Sequence, residues 1–210
     1  MLIRPHPRGF SLLELLVGVA ILGVMMAFAI PNFRSFFVNM RVQAVAENFL
    51  SGVQKARAEA VSKNMQVQIV LTDNPIVAGI QNSVTPLPGN GTSTSAGRNW
   101  VVRYQNVNND PTCQAYCLVE AKSSADGSSG GGDFDSTIFV AAPSWGGAIA
   151  FTPLSNSMSP TTLVKFSSTT AACQEAGGPV RCIAVLISPG GQSRMCDPNP
   201  AIPVGDNRHC

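Results

Sequence analysis

Glu14 stands alone as an ionisable side chain within the apolar run 10–30, four residues after Phe10 and five after Gly9. In a helix that run would be about 32 Å long at ~1.5 Å per residue, close to the roughly 30 Å hydrocarbon core of a bilayer. A carboxylate within such a span costs up to about 2.5–3.5 kcal/mol on insertion scales, the figure for the span's centre, so it implies a partner or a pathway. The nearest source of a partner is the junction Gly9-Phe10. The nine residues before Phe10 carry Arg4, His6, Arg8 and two prolines but no acid. Such a basic flank stays on the cytoplasmic side while the block behind it inserts. A secretory signal is cut after its apolar segment and loses it. A cut between Gly9 and Phe10 would instead keep the hydrophobic helix and create a charged amine at Phe10. Glu14 lies one helical turn from that amine, on the same face, and can pair with it in its own chain or in an adjacent copy.

These residues resemble the type IV prepilin family over 8–31. Gly9 and Phe10 match the leader peptidase site, Phe10 the N-methylated first residue of the mature chain, and Glu14 the glutamate at the fifth mature position. The resemblance implies cleavage before Phe10 and its methylation by a membrane aspartyl prepilin peptidase. It also implies docking of Glu14 into a growing fibre. The partners it implies are that peptidase, other pilin or pseudopilin subunits packed along the N-terminal helix, an inner-membrane assembly platform, and lipid before assembly.

The remaining chemistry is sparse. Six cysteines, Cys113, Cys117, Cys173, Cys182, Cys196 and Cys210, lie in the second half of the chain, the part expected to face an oxidising periplasm, where disulfides are the default. Six cysteines allow 15 pairings; short-loop closure favours Cys113–Cys117, Cys173–Cys182 and Cys196–Cys210 without excluding others. No C-x-x-C occurs, and the two histidines are His6 and His209, so neither a zinc site nor a histidine-based catalytic triad is expected. The glycine-rich stretches 127–132 and 188–191 lack the Gly-Lys-Ser/Thr ending of a phosphate cradle. The chain is therefore expected to be no enzyme and to need no cofactor or metal.

Charge is equally uninformative about a polyanionic partner. The formal net charge is +2 from 14 Lys+Arg and 12 Asp+Glu, and losing Arg4 and Arg8 would leave the mature chain balanced. DNA remains a candidate ligand through a patch of Arg194, Arg208, Lys165, Arg181 and His209, a grouping that charge neutrality weighs against.

The elements that would carry these residues follow from periodicity. Leader 1–9 precedes a transmembrane helix half at 10–31 and an amphipathic half at 32–64, in which Phe33, Phe37, Val45, Phe49, Val53, Ala56 and Ala60 recur at steps of three and four. Pro31 is expected to kink the helix because it lacks an amide donor and crowds the preceding turn. The pattern changes to period two at Val67, Ile69 and Leu71. Further strands are expected at 100–105, 117–122, 137–141, 148–152, 163–167, 182–188 and 192–196, the last two around a Pro189-Gly190-Gly191 turn. Segments 79–98 and 123–135 read as Gly/Ser-rich loops. The expected fold is α+β: a long N-terminal helix packed on an antiparallel β-sheet domain at 65–210.

A helix followed by a meandering sheet is similar to the minor pilin and pseudopilin subgroup, the GspH/FimT type. The Ala-Arg-x-Glu-Ala stretch Ala56–Ala60, Trp100 and the final hairpin carry that likeness. The hairpin departs from the Gly-Arg-x-Arg ending of the subgroup by one arginine, reading Gly191-Gln192-Ser193-Arg194. The resemblance implies a single-pass inner-membrane precursor with its C-terminal domain in the periplasm. It would become a minor type IV pilin at the start or tip of a pilus, a pseudopilin of type II secretion, or a DNA-binding tip pilin.

Overall fold

The computed structural model describes residues 11–72, 96–97, 99–111, 113, 115–123, 138–141 and 147–210, with the backbone alone at 27–34, 96, 123 and 139. Two compact units divide the chain, 1–37 and 38–210.

In the first unit, helix α1 (Leu12–Lys63) begins directly after Ser11. The Ser11 Oγ accepts the Glu14 N–H at 3.2 Å and its carbonyl accepts the Leu15 N–H at 3.2 Å. Ser11 is thus the N-cap and Glu14 the third helical residue, the spacing of a capping box. Helical structure continues through Pro31 without a break, although a proline there removes one backbone donor. Among the described residues no helix is long and apolar enough to cross a membrane. Described side chains of the apolar block run only to Met26, so the whole block 10–31 is not covered.

In the second unit, the later turns of α1 bury Val42, Val45, Ala46, Phe49, Val53, Ala56 and Ala60. Apart from the adjacent Val45 and Ala46, these positions step by three and four, the spacing that keeps one stripe against a core. Expected stripe member Phe37 is instead 58% exposed, and the Phe33 side chain lies outside the described residues. Among the described residues the fully buried stripe runs from Val42, with Val38 half-buried against the same core. The helix ends where Asn64 takes a left-handed φ of 52° and Met65 N–H reaches back to the Ala60 carbonyl at 3.3 Å. Asparagine tolerates that conformation better than most side chains, which makes it a natural C-terminal stop.

The strands divide between two antiparallel sheets rather than forming one. The first has the order β4-β3-β1-β6, with β1 (Val67–Thr72), β3 (Asn99–Gln105), β4 (Tyr116–Ser123) and β6 (Ala148–Phe151). The second has the order β2-β5-β7-β8-β9, with β2 (Ala96–Gly97), β5 (Ile138–Ala141), β7 (Thr162–Ser168), β8 (Ile183–Ile187) and β9 (Ser193–Cys196). Every named pairing is antiparallel. Strand β2 falls inside the expected loop 79–98; most of that loop, and of 123–135, lies outside the described residues.

The alternation of β1 places Val67, Ile69 and Leu71 in the main core with the helix stripe. Phe49 joins the layers. Its ring meets Trp100 of the first sheet edge-on at 5.5 Å and Phe166 of the second at 5.4 Å. Gly52, one turn on, lets Trp100 approach α1: a Cβ there would lie 3.1 Å from the indole Nε1 and 3.3 Å from Ile69 Cδ1. The opposite face of the first sheet is also buried, at Val70 and Val101 with Leu118, Ala121 and Ala148 against them. Arg103 is buried as well and stacks on Tyr116, its guanidinium 3.9 Å from the ring centroid. Burial lowers its pKa from the ordinary arginine value, and the Tyr116 charge opposes that shift.

Three disulfides link Cys113–Cys117, Cys173–Cys182 and Cys196–Cys210. The second encloses a short 3-10 helix, Gln174–Ala176. The third ties the tail to the end of β9.

Candidate functional site

Gly9 and Phe10 lie outside the described residues, so the junction itself has no described geometry. Glu14 does: it sits in the first turn of α1 with its side chain exposed, as are all side chains from Ser11 to Met26. Leu12, Leu13, Leu15, Leu16 and Val17 occupy consecutive positions around Glu14, every one more than half exposed. A helix apolar on all sides is stable only when something surrounds it, either lipid or other protein. Within such a surround Glu14 is the one described group able to form a charge-assisted bond. Gly18 and Gly23 have open space where a Cβ would stand, leaving room for the close helix approach that small residues permit.

The cations singled out from the sequence are each held locally. Arg194 donates from its two terminal nitrogens to the carbonyls of Asn207 and His209, at 3.1 and 3.0 Å. Arg181 pairs with Asp197 at 2.9 Å, and its backbone N–H donates to Asn39 Oδ1 on α1 at 2.8 Å. Arg208 forks onto Asp206, with its closest contact 2.7 Å. Those hydrogen bonds, side-chain first, hold the Asp206 carboxyl down to about 2 and raise the Arg208 pKa. Lys165 is ion-paired with Glu175. Arg181, Arg208 and Lys165 are therefore neutralised by acids. Arg194 and the Cys196–Cys210 bond together strap the tail onto β9, where the backbones of Asp197 and His209 pair in parallel and the Asp197 N–H donates to the Arg208 carbonyl at 2.7 Å.

A groove of about 410 Å³ opens between α1 and the β8–β9 hairpin, lined by Gln54 and Arg57 of the helix and by Leu186, Ser188, Gln192 and Arg194. Arg57 donates from Nε to Ser155 Oγ. Gly191, at a φ of 75°, lets the hairpin turn sit on this corner: a Cβ there would lie 2.0 Å from the Ser155 carbonyl oxygen. Arg57 lies between the stripe positions Ala56 and Ala60, but its meeting with a hairpin more than a hundred residues later has no local signal.

One cluster has metal-ligand residue types, Asp110 with Cys113 and Cys117. Its sulfurs are bonded to each other, so they offer no thiolates.

Residues 4–30 match the family model described as the prokaryotic N-terminal methylation motif, and residues 45–191 match that described as type II transport protein GspH. No curated protein matches the chain. Among solved structures, it is similar to two crystal forms of the Pseudomonas aeruginosa (strain PAO1) type IV minor pilin FimU, at 18% identity in each case. The match covers 73% of this chain with 90% of one and 87% of the other, at TM-scores of 0.40 and 0.44.

Proposed function

We propose a function from one premise: the chain belongs to the GspH family of prepilin-type proteins, the minor pilins and pseudopilins. On this reading it is a minor type IV pilin. It is made as a single-pass inner-membrane precursor with its β-rich domain, 65–210, in the periplasm. Prepilin peptidase cuts between Gly9 and Phe10 and methylates Phe10. The observation that carries the reading is the apolar, all-round exposed start of α1 with Glu14 as its one charge. Three closed disulfides agree with an oxidising compartment.

The assembly step follows from the energetics of that charge. In lipid, Glu14 sits within a turn of the new Phe10 amine and near the membrane surface. When the assembly platform draws the subunit into a fibre, neighbouring helices replace lipid and water. A lone buried carboxylate is then strongly disfavoured, whereas the amine of a neighbour's Phe10 both neutralises it and accepts only one axial register. The apolar residues supply contact area, and the ion pair supplies position.

Glu14→Ala tests this. The variant should be processed and membrane-bound like wild type but depleted from sheared filaments, read by immunoblot of cell and filament fractions. Equal incorporation would refute the role of Glu14. The description of the matched family favours a second reading, a pseudopilin of type II secretion. Deletion separates the two, since loss of surface pili supports the first and retention of secreted enzymes in the periplasm the second.

A further inference from the structure

The geometry points to a carboxylate-binding site in the groove between α1 and the β8–β9 hairpin, shaped to receive an acidic side chain from a neighbouring protein subunit. It is lined by two arginines, Arg57 and Arg194, with Gln54, Gln192, Ser188, Ser193 and apolar Leu186. Among the described residues no carboxylate lines it.

What distinguishes these two arginines is the nature of their partners. Arg57 donates to a hydroxyl, Ser155 Oγ, and Arg194 to two backbone carbonyls. Such acceptors fix the direction of a guanidinium without cancelling its charge. Among the described residues neither has an acidic partner, whereas Arg181, Arg208 and Lys165 all do. The groove therefore keeps two oriented positive charges on a surface where the other candidate cations are neutralised. A carboxylate placed between them would gain charge-assisted bonds from donors already held in place.

Size and surroundings select among anions. A space of about 410 Å³ admits one or two side chains. A nucleic acid backbone needs a row of cations to neutralise successive phosphates, and the acid-paired Arg181, Arg208 and Lys165 do not extend one. An acid borne on a protein loop fits better. The site is a property of this chain alone; only the naming of a neighbouring subunit as the source rests on the filament reading above.

The full-length chain in detergent micelles can be titrated at low salt with a labelled blocked peptide, Gly-Glu-Glu-Gly, and with its glutamine counterpart, following anisotropy. The glutamate peptide should bind and the glutamine peptide should not. Arg57→Gln should weaken binding about tenfold, the scale of one charge-assisted hydrogen bond. Gln192→Glu should do the same while leaving both arginines, the tail strap and the melting temperature unchanged. Equal binding of the two peptides, or indifference to Gln192→Glu, would overturn the site. Acetate competing as well as the peptide at equal carboxylate concentration would overturn a protein-borne ligand. A short duplex DNA binding more tightly than the peptide, through the same residues, would replace it with a nucleic acid. None of these readings needs cleavage before Phe10 or a filament, so they fail or succeed separately from the assembly reading.

Discussion

Replacing Phe49 by alanine removes a ring that touches both sheets. Phe49 is fully buried, and its ring packs at 5.5 Å on Trp100 and 5.4 Å on Phe166. Truncating a buried phenylalanine costs about 3–5 kcal/mol, combining lost transfer energy with the cavity left behind. The upper half of that range is expected here. Each aromatic contact adds about 0.5–1.5 kcal/mol beyond burial, and a helix clamped against two sheets has little freedom to collapse into the void. At about 2–4 °C per kcal/mol for a domain of this size, the melting temperature should fall by roughly 8–20 °C. Thermal melts of the full-length protein in micelles, followed by near-ultraviolet circular dichroism, report the loss of packing. Val61→Ala, at an exposed site on the same helix, should shift stability by no more than about 0.5 kcal/mol. A Phe49→Ala variant within about 1 kcal/mol of wild type would refute the claim that this ring joins the layers.

Two further outcomes follow from the tail. Replacing Cys196 and Cys210 together by alanine opens a link of sequence separation 14. It should cost about 3 kcal/mol on the chain-entropy account and speed hydrogen exchange across 197–210; unchanged exchange there would show that Arg194 alone holds the tail. Asp206, kept near 2 by Arg208, should titrate by carbonyl-carbon NMR well below the ordinary aspartate value of about 3.9. Because the folded value is the lower one, the pairing contributes fully above about 4 and is lost as pH falls toward 2; a midpoint near 3.9 would mean that the Asp206–Arg208 fork is not maintained in solution.

Local patterns were read well where one residue's neighbours decide its state. The period-two run at Val67, Ile69 and Leu71 and the Pro189-Gly190-Gly191 turn correspond to β1 and the β8–β9 hairpin. Pairing was not legible, because β1 lies between β3 and β6, and no local preference encodes a partner that distant. Strand β2 was missed because two residues in a glycine- and serine-rich stretch carry no alternation. Its position shows only in space, where a Cβ on Gly97 would stand 3.0 Å from the Thr72 carbonyl oxygen. Phe37 continues the period of the helix stripe without being buried, because spacing alone does not show where the sheets begin to cover the helix. At the candidate sites, residue type singled out Glu14 and Arg194 but not their surroundings. That Arg194 grips two tail carbonyls depends on how the chain doubles back after Cys196, which spacing alone leaves open.

The position of Phe49 has a mechanical consequence. Tension drawn along α1 reaches both sheets through the buried stripe, in which Phe49 touches a ring of each, so they carry the load in parallel. Neither can be peeled away first. Under a pull applied to the helix, the β layers would resist together up to one common yield point and then give way as a unit.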